Sequence, residues 1–344
     1  MASIKEELYV IPPGSRILVT GANGYIGSHV VQELLSLGYI VRGTVRSEKL
    51  WLDELFKSKF GPDSFESIVI PDLGNFDTLS KAMRDVSGVI HVASDVSFSP
   101  NAEEVIPKVV SATETVLEAA AKQPEGSIKR VVLTSSASAA ALPQPGVEGV
   151  VVTKDTWNTA TVKAAFDENT PADAMPFTVY VASKTEGERA AWKWVKNNKP
   201  AFEFNAVLPY YTLGQVLHRE ITGSTMKWAA NLLKGDVAAF GFPGQYVNVI
   251  DLARVHVVGL LHPEVKSERL FAFASTFTWN EFVSILRKLR PGNAEIPSPP
   301  DNELRDLSDI VPARRAENLI LSFFGQSWIG LEESIRAGID SLGY

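Results

Sequence analysis

In the run YVASKTEGERAAW, Tyr180 and Lys184 stand four residues apart, a spacing that puts both side chains on one face of a helix. A phenol can hand its proton to a carbonyl under reduction, but the ordinary phenol pKa is ~10. An ammonium alongside favours the phenolate and lowers that value. A three-unit move toward neutrality corresponds to roughly 4 kcal/mol of differential stabilisation. Tyr-x-x-x-Lys alone is equally compatible with an ordinary amphipathic helix. A second group lies upstream: VVLTSSASAAA carries Thr134, Ser135 and Ser136 at the end of an apolar run. A serine hydroxyl there can hydrogen-bond a substrate carbonyl and steady a developing oxyanion. Adjacent serines elsewhere commonly serve turns and caps, so their place in the chain topology carries the information.

A third group could hold a ligand. RILVTGANGYIGSHVVQELLSLGY places Gly21, Gly24 and Gly27 three apart where an apolar strand gives way to a helical pattern. Gly21 permits a tight turn, Gly24 lets backbone approach a pyrophosphate, and Gly27 allows close helix–strand packing. The helix N-terminus offers free N–H groups and a positive dipole end to phosphates. The spacing is GxxGxxG rather than GxGxxG, and a glycine turn without a ligand is the competing reading. The end of the next strand selects the nucleotide. GTVRS puts Arg46 where an NAD site usually has a carboxylate, and none appears before Glu48. A guanidinium can pair bidentately with a 2′-phosphate, which favours NADPH; a solvated surface arginine is the alternative.

Positioning these groups requires an alternation of strands and helices, and the sequence has one. Strands are expected at Arg16–Thr20, Ile40–Val45, 65–70, Gly88–Ala93, Arg130–Ser135 and Phe204–Leu208. Helices are expected at Gly24–Leu37, 48–60, 79–86, Glu103–Lys122 and Tyr180–Asn197. Apolar strands alternating with helices indicate right-handed crossovers and a parallel α/β sheet covered on both faces. Such a sheet binds ligands at the carboxyl ends of its strands, where the glycines, the serines and Tyr180 all fall. Beyond Pro209 the alternation loosens. The expected division is 1–208 for the dinucleotide and the chemistry, and 209–344 mainly as a substrate lobe returning some elements to the main sheet. No internal repeat or low-complexity tail is present.

Composition bounds the rest. The chain has 344 residues, 45% hydrophobic and 21% charged, as in ordinary globular proteins. No apolar run approaches the ~20 residues that span a bilayer. The acidic start MASIKEELYVIPPGS lacks the apolar core of a secretory signal. The absence of cysteine excludes disulfides and thiolate chemistry, and fits a cytoplasmic location. A formal net charge of −7 argues against nucleic acid or anionic membrane as partners. The five histidines, His91 and His218 among them, show no metal-ligand spacing, and His91 in its strand reads as packed core.

The combination of GxxGxxG after the first strand, TSS at the fifth and YxxSK in the following helix resembles the extended short-chain dehydrogenase/reductases. VRGTVRS, HVASDVSFS, VLTSSAS, VYVASKTEGERAAWKW and NAVLPYYTLG resemble the dihydroflavonol-reductase-like branch, and within it fungal NADPH-dependent aldehyde and carbonyl reductases. The resemblance implies a Rossmann-type doubly wound parallel sheet with a smaller mixed α/β C-terminal lobe. It implies a triad of Ser136, Tyr180 and Lys184. Tyr180 would be the acid, Lys184 would lower its pKa and bond the nicotinamide ribose, and Ser136 would orient the carbonyl. The implied NADPH site adds Asn23, Tyr25 and Ile26 in the glycine loop, Asp72 and Leu73 at the adenine, and Val92, Ala93 and Ser94 beside the pyrophosphate and ribose. It also adds Thr134, and Pro209, Tyr211 and Thr212 beside the carboxamide. One departure is expected: the family's helix asparagine corresponds to Val109 in VVSAT, so a proton relay through that amide is absent.

The candidate substrate lining is apolar and aromatic: Phe98, Ala137, Met175, Phe177, Tyr210, Tyr211, Met226, Trp228 and Phe242, with Gln245 the polar exception. Core packing is the competing reading for each. Together they suit an aryl or alkyl ketone, an aldehyde or a keto ester, a small-molecule carbonyl reduced by a monomer or homodimer. Two rivals remain at this stage: a sugar-nucleotide epimerase or dehydratase with tightly bound NAD, and a non-catalytic NADP-sensing protein.

Overall fold

The computed structural model describes residues 9–241 and 244–344. Four βα units and a fifth strand open the described residues: β1 (Arg16–Thr20), α1 (Tyr25–Ser36), β2 (Ile40–Val45), α2 (Leu50–Phe60), β3 (Phe65–Val69), α3 (Phe76–Ala82), β4 (Gly88–His91), α4 (Ala102–Ala121) and β5 (Arg130–Thr134). Next come the short β6 (Val151–Val152) and α5 (Thr159–Ala164), the long α6 (Met175–Asn198) and β7 (Glu203–Pro209). The remainder runs β8 (Tyr211–Leu213), α7 (Ser224–Asn231), β9 (Gln245–Asn248), α8 (Val249–Leu261), β10 (Arg269–Ala272), β11 (Ser275–Thr276), α9 (Trp279–Leu289), β12 (Asp309–Ile310), α10 (Ala313–Phe324) and α11 (Leu331–Ser341).

Seven strands form one sheet in the order β10-β7-β5-β4-β1-β2-β3, and every pairing in it is parallel. The order reverses at β1 and β4, which opens a crevice at their carboxyl ends. Pleating divides each strand between two cores. Ile17 and Val19 of β1 pack with Val30, Val31 and Leu34 of α1 and with α8 and α10. Leu18 faces the other way, onto a cluster holding Val116 and Leu117 of α4 and Ala191 of α6. This is the doubly wound parallel architecture expected from the alternation.

The elements differ from the sequence expectation at their ends. β4 stops at His91 rather than Ala93 because the amides of Val92 and Ala93 turn to the Thr20 hydroxyl, each at 3.1 Å. α6 begins at Met175 rather than Tyr180, with Pro176 in its first turn. Proline suits that turn because its missing N–H has no helical partner to lose. α3 begins at Phe76, ahead of the expected 79, because the Asn75 side chain caps it by accepting from Thr78 N–H.

Beyond β7 the chain builds a three-stranded sheet, β11-β9-β8, backed by α7, α9 and α11. β10 nevertheless returns to the main sheet beside β7. The segment after β8 runs back across the glycine end of the sheet. Tyr25 donates to the carbonyl of Gly214 at 2.8 Å, and the His29 imidazole meets the carbonyl of Gln215 at 2.8 Å. Trp51 of α2 stacks on His218 with ring centroids 4.4 Å apart.

Candidate active site

The turn after β1 is shaped by exclusion. Gly21 has φ +67, a left-handed conformation that side chains rarely adopt. A Cβ on Gly27 would lie 2.2 Å from the Gly21 carbonyl oxygen, so no side chain fits where α1 passes the turn. Gly24 caps α1 without a side chain, and the first turn of the helix carries no acidic residue. Its N–H groups and dipole therefore meet no local anion, and the crevice end of α1 suits a phosphate. Asn23 lies in the turn, Ile26 packs on the sheet core, and Tyr25 is buried, its ring directed into the C-terminal lobe.

Thr20 and His91 close the floor of this crevice. The Thr20 hydroxyl lies 2.8 Å from His91 Nδ1. Burial holds the His91 imidazole down to about 3, and the Lys184 ammonium adds to the depression. His91 is thus a neutral neighbour of Lys184. Val92 and Ala93 continue from it, and Ala93 approaches so closely that a Cβ on Gly21 would stand 3.1 Å away. Ser94 follows, partly buried.

The three hydroxyls ending β5 have separate partners. Thr134 bonds His256 Nε2 at 2.8 Å, while His256 Nδ1 meets the Leu252 carbonyl at 2.8 Å. Ser135 donates to Glu188 Oε2 at 2.7 Å. Ser136 pairs with Ser138, 2.8 Å between hydroxyls, and its oxygen interacts with the Tyr180 phenol. Of the two serines, Ser136 is the one beside Tyr180.

Tyr180 and Lys184 lie on α6 in its second and third turns, facing the ends of β4 and β5. Lys184 is buried and donates to the Thr134 carbonyl at 3.3 Å. Burial pulls its ammonium down to about 8, against a raising contribution from Glu188. Burial raises the Tyr180 phenol above its ordinary value, and the Ser136 hydroxyl partly offsets this. The lowering expected from Lys184 is therefore corrected: burial sets the direction for the Tyr180 phenol, and the group that offsets it is Ser136. At the asparagine position of the resembling family, Val109 packs α4 against α6, its Cγ1 3.0 Å from where a Cβ on Gly187 would be.

Aromatic rings gather around the phenol. Phe98 lies 5.1 Å from the Tyr180 ring and 5.8 Å from Trp228, and Phe177 lies 6.2 Å from Tyr180. Phe98 has φ +53, an unusual conformation for a bulky residue, sustained by successive side-chain turns at Asp95, Ser97 and Ser99. Ala137 is buried in a short 3-10 turn after Ser136. A second group forms deeper. Gln245 donates to Asp306 at 2.8 Å, and Tyr210 packs on Phe273 at 4.9 Å. Met175 packs with the α4–α5–α6 cluster. Met226 is fully buried in the C-terminal lobe, where its sulfur accepts from the Gly214 amide at 3.4 Å. Phe242 lies outside the described residues.

The outer nucleotide positions are less enclosed. Arg46 is exposed immediately after β2. Asp72 is exposed and accepts from the Gly74 amide at 2.8 Å, with Leu73 beside it at the α3 cluster. Pro209 ends β7. Tyr211 and Thr212 are buried, tied to Thr225 by bonds of 3.0 and 2.6 Å. Sequence reasoning missed Thr20, Glu188, Arg269 and Asp306. Only Glu188 had a local signal, as the residue one turn beyond Lys184.

Residues 17–271 match the model of the NAD dependent epimerase/dehydratase family. Ketoreductase adrE of Penicillium roqueforti is 47% identical over 337 residues, covering 96% of this chain and 97% of the relative. Aldehyde reductase 2 of Sporidiobolus salmonicolor is 40% identical over 336 residues, covering 95% and 96%. Yeast methylglyoxal/isovaleraldehyde reductase Gre2, solved with NADPH, superposes with a TM-score of 0.77 at 24% identity, over 95% of this chain and 98% of that one. Vestitone reductase from alfalfa gives 0.71 at 19% identity, over 95% and 97%. These two likenesses carry the fold.

Proposed function

The chain belongs to the NAD dependent epimerase/dehydratase family, and from that premise we propose that it is an NADPH-dependent carbonyl reductase, converting aldehydes and ketones to alcohols. The observation that carries this reading is the meeting of Ser136, Tyr180 and Lys184 at the carboxyl ends of β4 and β5. The names of two near-full-length relatives, a ketoreductase and an aldehyde reductase, support reduction as the reaction.

The glycine turn and the α1 N-terminus would hold the pyrophosphate, Arg46 the 2′-phosphate, and Lys184 the nicotinamide ribose. NADPH, when bound, supplies the hydride. Ser136 holds the carbonyl oxygen in place. Tyr180 gives that oxygen its proton, and general-acid assistance of this kind contributes about 10²–10⁴ in rate. Lys184 favours the charge left on the phenol. Residues 1–208 thus carry cofactor and chemistry, and 209–344 mainly shape the substrate side. The rings of Phe98 and Phe177 beside the phenol, with Trp228 packed on Phe98, favour an aryl or alkyl ketone, an aldehyde or a keto ester. No helix among the described residues is long and apolar enough to cross a membrane.

The test is NADPH oxidation across aryl ketones, aldehydes and keto esters, with product chirality recorded. Turnover with at least one class, and preference for NADPH over NADH, is expected. Purified protein carrying stoichiometric NAD and inert toward the panel would overturn the reading in favour of an epimerase or dehydratase.

A further inference from the structure

Glu188 sits one helical turn beyond Lys184, buried within the packed interior. Three side chains make four bonds to its carboxylate. Ser135 donates to Oε2 at 2.7 Å, and the Trp192 indole donates to Oε1 at 3.1 Å. Arg269 reaches Oε1 with Nε at 2.7 Å and Oε2 with Nη2 at 3.2 Å, a two-pronged pairing. The two side chains are 0% and 6% exposed, so the pair is cut off from water. Arg269 uses its remaining nitrogen on the carbonyls of Lys154 and Thr156, 2.7 Å each, and its guanidinium covers the Trp157 ring at 3.9 Å. The same loop continues to Asn158, whose side chain donates to the Ser138 carbonyl at 2.9 Å and whose amide donates to the Ala139 carbonyl at 2.9 Å. Ser138 in turn bonds Ser136.

One ion pair thus ties together the helix carrying Tyr180 and Lys184, the end of β5 carrying Ser135 and Ser136, strand β10, and the loop backing the turn after Ser136. A buried ion pair is weak evidence for stability, because desolvation offsets the attraction. Anchoring and fold stability therefore need separating by experiment.

We propose that Glu188, held by Arg269, is a positioning residue for the Ser136–Tyr180–Lys184 group: it sets α6 against the end of β5 and keeps Lys184 an ammonium. This rests on the carbonyl-reductase reading. The groups facing Lys184 are the neutral His91 imidazole from β4, the Thr134 carbonyl from β5, and Tyr180 and Glu188 on its own helix. Glu188 is the one carboxylate among them, and its pull opposes the effect of burial on Lys184.

The experiment compares wild type, Glu188→Gln, and the double variant Glu188→Leu/Arg269→Met, which replaces both buried charges with apolar groups of similar bulk. The Lys184 side chain is titrated by NMR, its signal assigned by absence in Lys184→Met, and kcat and KM for NADPH oxidation are followed against pH. Removing the carboxylate is expected to lower the Lys184 midpoint by about one pH unit or more. It is expected to lower kcat at least about tenfold while KM for NADPH stays within about threefold, the pattern of misplaced catalytic groups rather than lost binding. If Glu188→Gln fails to fold, the double variant decides. A folded double variant with the wild-type Lys184 midpoint and wild-type kcat overturns the proposal and leaves the pair a structural bridge. The NMR midpoint is read without substrate. Inactivity of the wild type toward carbonyls would therefore refute the reductase reading and still leave this inference to be decided.

Discussion

The Thr20 hydroxyl and His91 Nδ1 lie 2.8 Å apart, and their surroundings set the direction of the bond. The same oxygen accepts from the amides of Val92 and Ala93, so its proton goes to Nδ1 and the imidazole carries its hydrogen on Nε2. His91 is held to about 3, and burial holds His29 and His256 each to about 4. All three are neutral in the fold but take up protons in the unfolded chain below about pH 6.5. Their contribution to stability is complete above that pH and is lost as pH falls toward the folded values, by about 1.4 kcal/mol per histidine per pH unit. Asp251, raised by burial to about 6, and Glu33, also raised by burial, act in the opposite sense, two groups against these three and His262, which burial lowers as well. The melting temperature should fall between pH 7 and pH 5; a rise over that window would contradict the assignment.

Tyr180→Phe removes the proton donor and little else. Turnover should fall by about 10²–10⁴, while NADPH affinity, read by fluorescence titration, stays within about threefold. Near-normal turnover would reject Tyr180 as the acid.

The adjacent serines should separate in their effects. Ser136→Ala should lower kcat by about 10²-fold through loss of a donor to the carbonyl oxygen, with the melting temperature little changed. Ser135→Ala strips one bond from a buried carboxylate and should cost about 1–3 kcal/mol of stability. Steady-state kinetics and thermal melts on both variants test this, and the reverse pattern would mean that Ser135 serves the reaction.

Arg46→Ala should raise KM for NADPH about 10- to 100-fold, the worth of a charge-assisted bond to phosphate. KM for NADH should hardly change. Equal losses with the two cofactors would remove Arg46 from the 2′-phosphate site.

Gly27→Ala forces a methyl to 2.2 Å from a carbonyl oxygen and should cost about 3 kcal/mol or more, with NADPH binding lost. Gly292 has open space where a Cβ would go, so Gly292→Ala serves as a control that should bind NADPH normally. A fully binding Gly27→Ala variant would show that the turn can relax.

The sequence made legible what depends on local spacing. The glycines are three apart, Tyr180 and Lys184 are one turn apart, and the strands are apolar on both faces. All of these are short-range patterns, and the parallel sheet follows from them. What it did not disclose are pairings between distant residues. Glu188 and Arg269 stand 81 positions apart, and Gln245 and Asp306 stand 61 apart. No periodicity announces such a pair. The start of α6 was hidden for a different reason: a proline ordinarily breaks a helix, yet Pro176 lies in the opening turn of this one, ahead of the expected start at Tyr180. The expected lining divides in the structure, with Phe98 and Phe177 at the phenol, Trp228 packed on Phe98, and Met226 in the interior. Residue type alone does not distinguish a lining residue from a core residue.

The return of β10 to the main sheet bears on how the chain is made. β7 pairs with β5 on one side and β10 on the other. A ribosome releasing this chain exposes the open edge of β7, and the apolar sheet face that α8 and α10 will cover, long before those later segments emerge. Such an edge is a template for wrong pairing. Expression yield should therefore be governed by how fast the last third of the polypeptide arrives, and by chaperones that shield the edge until it does.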